Sequence, residues 1–202
     1  MHAEMAVWSF SGPVVTLRAF SLSASATMMQ TSAVTGPESH SLQRLHWRSE
    51  PPASGMPRQW LQDTGSLTAK LQTFTGGQLR VRVLAEGRCR AAPGHPRPPG
   101  SRTLRQLPGL YWQRKVVLHA GATNLIRAVT LVPLPQQRLI RRLRLLGSKP
   151  LGAFLFAQPG LQRLQMDFAA LDWGLARRSW FRIGRDEIVL VEVFLNSLLE
   201  QL

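Results

Sequence analysis

The stretch RSWFRIGRDEIVLVEVFL, residues 178–195, decides the fold of this chain. Residues 178–183 and 187–195 are rich in β-branched and aromatic side chains, which predicts two strands. Gly184 and the polar residues that follow it predict the turn between them. Two strands joined by so short a connection pair antiparallel, because a parallel pair needs a crossover of a dozen residues or more. This part of the chain is therefore predicted to form a β-hairpin.

The same reasoning extends the predicted sheet toward the N-terminus. Alternating apolar and basic residues at 79–85 predict a half-buried strand. Residues 111–120 and 125–132 predict a second hairpin, which turns around the segment Gly121-Ala122-Thr123-Asn124.

Apolar residues at helical spacing predict the helices that accompany this sheet. They fall at 60–71, 136–146 and 151–156, and residues 161–171 also favour a helix. Because strands and helices do not alternate regularly, we predict the α+β class, with a single antiparallel β-sheet flanked by helices.

Composition divides the chain into two parts. Residues 1–40 are rich in Ser, Thr, Ala and Met and poor in charge, so we expect a disordered extension or a start codon assigned too far upstream. Residues 41–202 are expected to form the folded domain. Within it, residues 87–109 are rich in proline and arginine and predict a long loop, either a functional lid or a disordered segment.

The formal net charge of +14 comes from arginine, since only Lys70, Lys115 and Lys149 are lysines. Such an excess is typical of a protein that binds nucleic acid, an anionic surface or an anionic small molecule. Arginine in particular suits fork-like pairing with carboxylates. A GC-rich genome produces the same bias, so charge alone leaves the partner open.

Several classes of site are excluded or disfavoured by what the sequence lacks. Cys89 is the only cysteine, which rules out a disulfide framework and a thiolate metal cluster within the chain. The five histidines form no HExxH motif, so we expect no metal. No run approaches the roughly 18 consecutive apolar residues of a membrane span. Neither a phosphate-binding glycine loop nor a GxSxG elbow is present.

Two charged residues interrupt apolar strand faces. Arg114 lies between Trp112 and Val116 on one predicted face, and Glu192 lies within the apolar run 188–195. Burying either charge without a partner would cost several kcal/mol. The two residues therefore pair with each other, lie at an exposed edge, or line a closed cavity. In a cavity, the cation would hold a ligand carboxylate and the carboxylate would handle a hydroxyl or a proton.

The segment 147–152, GSKPLG, joins two predicted helices and could belong to a helix-turn-helix motif. The second helix, 151–156, is apolar, whereas a recognition helix presents polar and basic side chains to base edges. DNA reading through this segment is therefore disfavoured.

Taken in order, several short motifs resemble one known family. They are Trp60-Leu61, Ser66-Leu67-Thr68, YWQR at 111–114, LVP at 131–133, LGSKPLGAFLF at 146–156, ARRS at 176–179 and VEVFL at 191–195. Their order and spacing resemble the chorismate–pyruvate lyase (chorismate lyase) family over about residues 41–202. LGxxPLGxxLF, followed by RRS and then a glutamate within an apolar strand, is the most specific part.

The resemblance implies a fold related to the UTRA-like ligand-binding domains of some transcription regulators, with a buried site covered by flaps. It implies a lyase that converts chorismate to 4-hydroxybenzoate and pyruvate, the step that feeds ubiquinone biosynthesis. Neither a metal nor an organic cofactor is expected. The enzyme is expected to be a cytoplasmic monomer with no nucleic-acid partner.

The family's functional positions carry over to four residues of this chain. The arginine that binds the product carboxylate falls on Arg114, and the glutamate near the product hydroxyl falls on Glu192. A site leucine falls on Leu151. A position that contacts ligand through its backbone falls on Leu67, where the side chain departs from the family methionine.

A mechanism follows as a hypothesis. Arg114 would anchor the ring carboxylate, and Glu192 would act as hydrogen-bond partner or proton shuttle where the enolpyruvyl group leaves. Phe194, with Leu67 and Leu151, would wall the site. Arg178 is a candidate for the second carboxylate of chorismate, unless it is simply an exposed strand arginine.

The sequence leaves two further points open. Where the family often has an arginine this chain has Val129, and Arg127 on the same strand face could replace it. The fold could also serve as a non-catalytic module that binds an aromatic acid, or as a basic nucleic-acid binder whose affinity falls steeply with salt.

Overall fold

The framework is a six-stranded antiparallel sheet, seen in a computed structural model that describes residues 45–90 and 110–202. The strands are β1 (Leu79–Arg90), β2 (Leu110–Ala120), β3 (Thr123–Pro133), β4 (Leu161–Leu171), β5 (Gly174–Ile183) and β6 (Asp186–Leu195). Their order across the sheet is β1-β2-β3-β6-β5-β4. The predicted N-terminal extension, residues 1–40, lies outside the described residues.

Both predicted hairpins are present. The β2–β3 hairpin turns at Gly121 and the β5–β6 hairpin at Gly184, whose φ angles are +55° and +61°. Glycine adopts such positive φ angles without steric cost. The β3–β6 pairing then joins the two hairpins into one sheet.

Five helices accompany the strands in the described ranges: α1 (Gly55–Gln62), α2 (Leu67–Phe74), α3 (Gln137–Arg144), α4 (Leu151–Phe156) and α5 (Asn196–Leu199). Each buries at least one apolar side chain in the main core, which forms against a single face of the sheet. The predicted α+β class with one antiparallel sheet is confirmed, as are the predicted helices that correspond to α3 and α4.

Three local predictions are wrong. The single helix predicted at 60–71 is two helices, and Ser66 caps the second by accepting a hydrogen bond from the Ala69 N–H at 3.3 Å. Residues 161–171 form strand β4 instead of a helix, and a bulge after Arg163 breaks the alternation that would have revealed it. The first four residues of the loop predicted at 87–109 belong to β1, and residues 91–109 lie outside the described part.

The opposite face of the sheet carries two smaller apolar clusters. One centres on Leu131, Trp180, Val189 and Val191, and Trp47 packs against it. The segment before α1 reaches this region, where Arg48 pairs with Phe168 on the edge strand β4. In the described ranges, no helix is long and apolar enough to cross a membrane.

Candidate active site

A pocket lies between the sheet and the N-terminal ends of α2 and α4. All six strands contribute to its walls. Its polar lining residues are Arg114, Thr130, Arg163, Arg177, Glu192 and Thr68. Its apolar lining includes Leu67, Val116, Leu151, Leu155, Phe181 and Leu190. The four site residues predicted from sequence, Arg114, Glu192, Leu67 and Leu151, therefore all line one pocket.

Arg114 is almost fully buried, with 2% of its surface exposed. Its Nη1 donates to the carboxylate of Glu86, which is the directly opposite residue on β1. Its Nη2 donates to the carbonyl oxygens of Gly147 and Lys149, the latter at 3.4 Å. The turn before α4 thus fixes the guanidinium, and the pocket-facing part of Arg114 remains available to a ligand.

Glu192 is held by Arg177, its register partner on β5. The Nε and Nη2 groups of Arg177 donate to Oε2 of Glu192 at 2.8 and 2.7 Å. Both bonds use Oε2, and no described residue donates to Oε1. Glu192 lines the pocket, so its carboxylate keeps one acceptor oxygen that is available to a ligand.

Arg114 and Glu192 do not pair with each other, and neither lies at an exposed edge. Arg114 is opposite Thr130, whereas Glu192 is opposite Ala128, so they occupy neighbouring rows of the same sheet face. They are two strands apart, which separates their Cα atoms by about 12 Å. The cation and the carboxylate therefore lie at separate ends of the pocket.

The connection between α1 and α2 covers the end of the pocket that holds Glu192. Nη1 of Arg177 donates to the carbonyl oxygens of Leu61 and Asp63, at 3.3 and 2.8 Å. Burial alone would raise the pKa of the Asp63 carboxyl. Hydrogen bonds from Lys70 and the Gly65 N–H, with the charge of Lys70, lower it instead. This connection is thus a charged and hydrogen-bonded cover.

Comparison with known proteins identifies the family of this chain. The sequence profile of the family described as chorismate lyase matches residues 42–201. The chain belongs to the chorismate lyase family. A probable chorismate pyruvate-lyase of Aromatoleum aromaticum is 33% identical to it, over 76% of this chain and 94% of the relative. A chorismate pyruvate-lyase of Pectobacterium atrosepticum is 33% identical, over 76% and 86%. One from Marinobacter nauticus, named as probable, is 35% identical, over 73% and 80%.

Arg177 is one of two pocket arginines that sequence reasoning missed. The β5–β6 turn pairs Ile183 with Asp186, and counting back from it pairs Arg177 with Glu192. The three-residue turn predicted at 184–186 would instead pair Arg178 with Glu192, so the two-residue turn of the structure shifts the register by one residue. Period-two alternation puts Arg177 and Arg178 on opposite faces, and our prediction selected the wrong one of the two.

Arg178 is not a ligand residue of the pocket. It lies on the opposite face, where its Nη2 donates to Asp167 at 2.7 Å. The guanidinium carbon lies 4.1 Å from the ring centroid of Trp47 and 4.4 Å from that of Trp180. The prediction of an exposed arginine is also wrong, since Arg178 is fully buried. These contacts show that Arg178 has a structural role in the apolar cluster that contains Trp180, on the face opposite the pocket.

Two more predicted contributors lie outside the pocket lining. Phe194 packs beneath the pocket, with its ring centroid 5.6 Å from the guanidinium carbon of Arg177. Arg127 is opposite Val193 in the register, so it belongs to the face that carries the smaller clusters. Val129 packs against the Leu131 cluster on that same face, so neither position 127 nor position 129 borders the pocket.

Arg163 is a third guanidinium at the pocket, and it was not predicted. Its guanidinium carbon lies 4.8 Å from the ring centroid of Phe181, and its Nη1 reaches the Asp63 carbonyl at 3.5 Å. Burial lowers the pKa of Arg163, and the positive charge of Arg177 lowers it further, although Glu192 and Asp63 oppose both effects.

No group of three His, Cys, Asp or Glu side chains within 45–90 and 110–202 is arranged to hold a metal ion.

Proposed function

We propose that this protein converts chorismate to 4-hydroxybenzoate and pyruvate with its own side chains, without a metal or an organic cofactor. The observation that carries the proposal is one pocket with the Arg114 guanidinium at one end and Glu192 Oε1 at the other. Chorismate is a six-membered ring with a carboxylate at one end and its reacting C3–O and C4–H bonds toward the other, so it matches this arrangement of charges.

The ring carboxylate is assigned to Arg114 and to two helix starts. Leu67 and Leu151 are the first residues of α2 and α4. Their backbone N–H groups have no carbonyl partner within the helix and are free for a ligand oxygen. A backbone contact explains why the side chain at position 67 can differ from the family methionine. Arg114 adds a charge-assisted hydrogen bond.

The reaction is an elimination that makes the ring aromatic. The C3–O bond breaks, and its electron pair leaves with the enolpyruvyl oxygen. The hydrogen at C4 leaves as a proton, and the electron pair of the C4–H bond completes the aromatic ring. The departing enolate takes up a proton to become pyruvate, so no oxidant or reductant is needed.

Glu192 handles the proton at the reacting end. Oε1 accepts the hydrogen bond of the 4-hydroxyl group and lies at the end where the C4 proton departs. Arg177 is a positioning residue, because its two hydrogen bonds to Oε2 fix the carboxylate without using Oε1. Apolar walls from Leu67, Leu151 and Leu155 exclude water from this step.

Incubation of the purified protein with chorismate tests the proposal directly. Pyruvate and 4-hydroxybenzoate should appear in equal amounts, at a rate that EDTA does not change. Binding of 4-hydroxybenzoate without turnover of chorismate would instead indicate a ligand-binding module and would reject the lyase function.

The same proposal covers the setting of the enzyme. Residues 41–202 form the domain, and the protein works in the cytoplasm as a monomer that binds no nucleic acid. Its product feeds ubiquinone biosynthesis. Deletion of the gene should deplete ubiquinone, and added 4-hydroxybenzoate should restore it. Depletion that 4-hydroxybenzoate does not reverse would contradict the pathway assignment.

A further inference from the structure

The proposed reaction gives roles to two of the pocket arginines, Arg114 and Arg177, and none to the third, Arg163. Arg163 reaches the pocket from the edge strand β4, with its guanidinium over the ring of Phe181. Its Nε–H is buried and has no hydrogen-bond partner among the described residues. The one hydrogen bond made by its side chain there goes from Nη1 to the Asp63 carbonyl, at a long 3.5 Å. A buried donor without a partner is uncommon and costs free energy unless a ligand satisfies it.

The neighbouring guanidinium groups are already engaged. Arg114 donates to Glu86 and to two carbonyls of the turn before α4. Arg177 donates twice to Glu192 and twice to carbonyls of the α1–α2 connection. In the described part of the chain every guanidinium nitrogen of Arg177 is engaged, whereas Nε of Arg114 and Nε of Arg163 make no hydrogen bond. Arg114 is already assigned to the ring carboxylate, so Arg163 is the arginine that remains for a second anionic group.

The ion pairs around the pocket also single out Arg163. Arg114 pairs with Glu86, Arg177 with Glu192, and Lys70 with Asp63, so each of these nearby carboxylates already has a cation. Arg163 forms no ion pair among the described residues, and Arg177 is a like charge beside it. The pocket therefore carries an uncompensated positive charge at the end near Glu192.

We propose that Arg163 binds the carboxylate of the enolpyruvyl group of chorismate. This inference rests on the proposed function, because it assigns the second carboxylate of the same substrate. Arg114 lies on β2 and Arg163 on β4, four strand spacings apart, or about 19 Å between Cα atoms. Two long side chains that reach inward from these strands leave space for one ring and its substituent between their guanidinium groups.

The assignment makes Arg163 the residue that distinguishes substrate from product. Chorismate carries two carboxylates, and 4-hydroxybenzoate keeps only the ring carboxylate on Arg114. When the C3–O bond breaks, the carboxylate on Arg163 leaves with pyruvate. Arg163 therefore contributes to substrate binding and to the orientation of the leaving group, and it contributes little to the affinity for 4-hydroxybenzoate.

The test compares chorismate and 4-hydroxybenzoate in matched variants. Arg163→Gln should raise the KM for chorismate about 10- to 100-fold, as expected for a lost charged hydrogen bond. The Kd for 4-hydroxybenzoate should change less than about threefold, which is below the effect of one such bond. Arg114→Gln should raise both constants. Arg163→Lys, which keeps the charge, should recover part of the chorismate affinity.

Inhibition by pyruvate gives an independent readout. Pyruvate should inhibit the unaltered enzyme in competition with chorismate, and Arg163→Gln should weaken that inhibition. The inference is overturned if Arg163→Gln leaves the KM for chorismate unchanged, or if it raises both constants equally, as a general distortion of the pocket would. Failure of the unaltered protein to release pyruvate from chorismate would instead reject the proposed function itself.

Discussion

Arg114 and Glu192 are the two charges that interrupt apolar strand faces, and the structure places both at one pocket. The two residues do not pair with each other. Arg114 contacts Glu86, and Glu192 contacts Arg177. Removing one member of a buried pair leaves an uncompensated charge and costs about 3–5 kcal/mol. Variants at these positions therefore need a binding readout as well as an activity assay.

Replacing Arg114 with alanine should weaken the binding of substrate and product alike. The variant loses the cation for the ring carboxylate, so the KM for chorismate and the Kd for 4-hydroxybenzoate should each rise about 10- to 100-fold. Steady-state kinetics and equilibrium titration measure the two constants. Arg82→Ala, at an exposed position on β1, is the matched control. Unchanged constants in Arg114→Ala would remove Arg114 from the site.

Glu192→Gln should lower turnover more than it lowers binding. The amide keeps an acceptor for Arg177 but cannot take a proton, and loss of general acid–base catalysis costs about 100-fold or more in kcat. Thermal unfolding should show a lower Tm, because Arg177 loses its counter-charge. Binding of 4-hydroxybenzoate should stay detectable. A kcat equal to that of the unaltered enzyme would rule out the proton-handling role.

At the scale of elements, connections position the site as much as strands do. The turn before α4 supplies the carbonyls that hold Arg114, and the α1–α2 connection supplies those that hold Arg177. The N-terminal ends of α2 and α4 also meet, where Gly152 approaches Ser66 and Thr68. The family motif LGxxPLG thus has a physical role in docking α4 against both the sheet and α2.

Gly152→Ala tests this docking. A Cβ atom at position 152 would lie 2.7 Å from Thr68 Oγ1 and 3.0 Å from Ser66 Oγ. Alanine gains about 1 kcal/mol in helix propensity, but overpacking costs about 1–3 kcal/mol. We expect a lower free energy of unfolding, by up to about 2 kcal/mol, and a higher KM for chorismate. Gly87→Ala, where an added Cβ meets no atom within 4 Å, is the control. Equal stability and KM in the two variants would contradict a close α2–α4 contact.

At the scale of the molecule, the sheet separates a ligand face from a structural face. The ligand face carries the pocket and the buried apolar side chains of the helices. The opposite face carries Arg178, which contacts the rings of Trp47 and Trp180, and Cys89, which is opposite Tyr111 and packs at the border of the Leu131 cluster. Charged residues are buried on both faces, so burial of a charge alone does not identify a ligand residue.

Cys89 provides a test of the structural face. Burial raises the pKa of its thiol to about 11, although the neighbouring Lys115 charge acts in the opposite direction. Alkylation of the native protein by iodoacetamide should be slow at pH 8 and accelerate only as the pH approaches 11, because the thiolate is the nucleophile. Urea-unfolded protein should react at lower pH. The thiol has a higher pKa in the folded protein than in the unfolded protein. Its contribution to the free energy of unfolding is therefore complete below the unfolded-state pKa and is lost as the pH rises through about 11. Equal reaction profiles for native and unfolded protein would contradict the burial of Cys89.

The sequence by itself determined the two hairpins, the α+β class and the placement of Arg114 and Glu192 on apolar faces. These features follow from period-two alternation and from turn chemistry, which act over a few residues. The register of β5 and β6 was not determined, because the turn predicted at 184–186 pairs Glu192 with Arg178, whereas the shorter turn of the structure pairs it with Arg177. Strand β4 was mistaken for a helix because its bulge removed the local pattern.

Only the tertiary structure decided which charges meet. The pairing of β3 with β6 places Arg114 and Glu192 on one face although they lie on hairpins far apart in the chain. The contacts of Arg114 with the 147–149 turn, and those of Arg163 and Arg177 with Asp63, likewise join distant segments. The physical reason is that partner choice depends on strand order and on the docking of connections, and no local pattern encodes either of these.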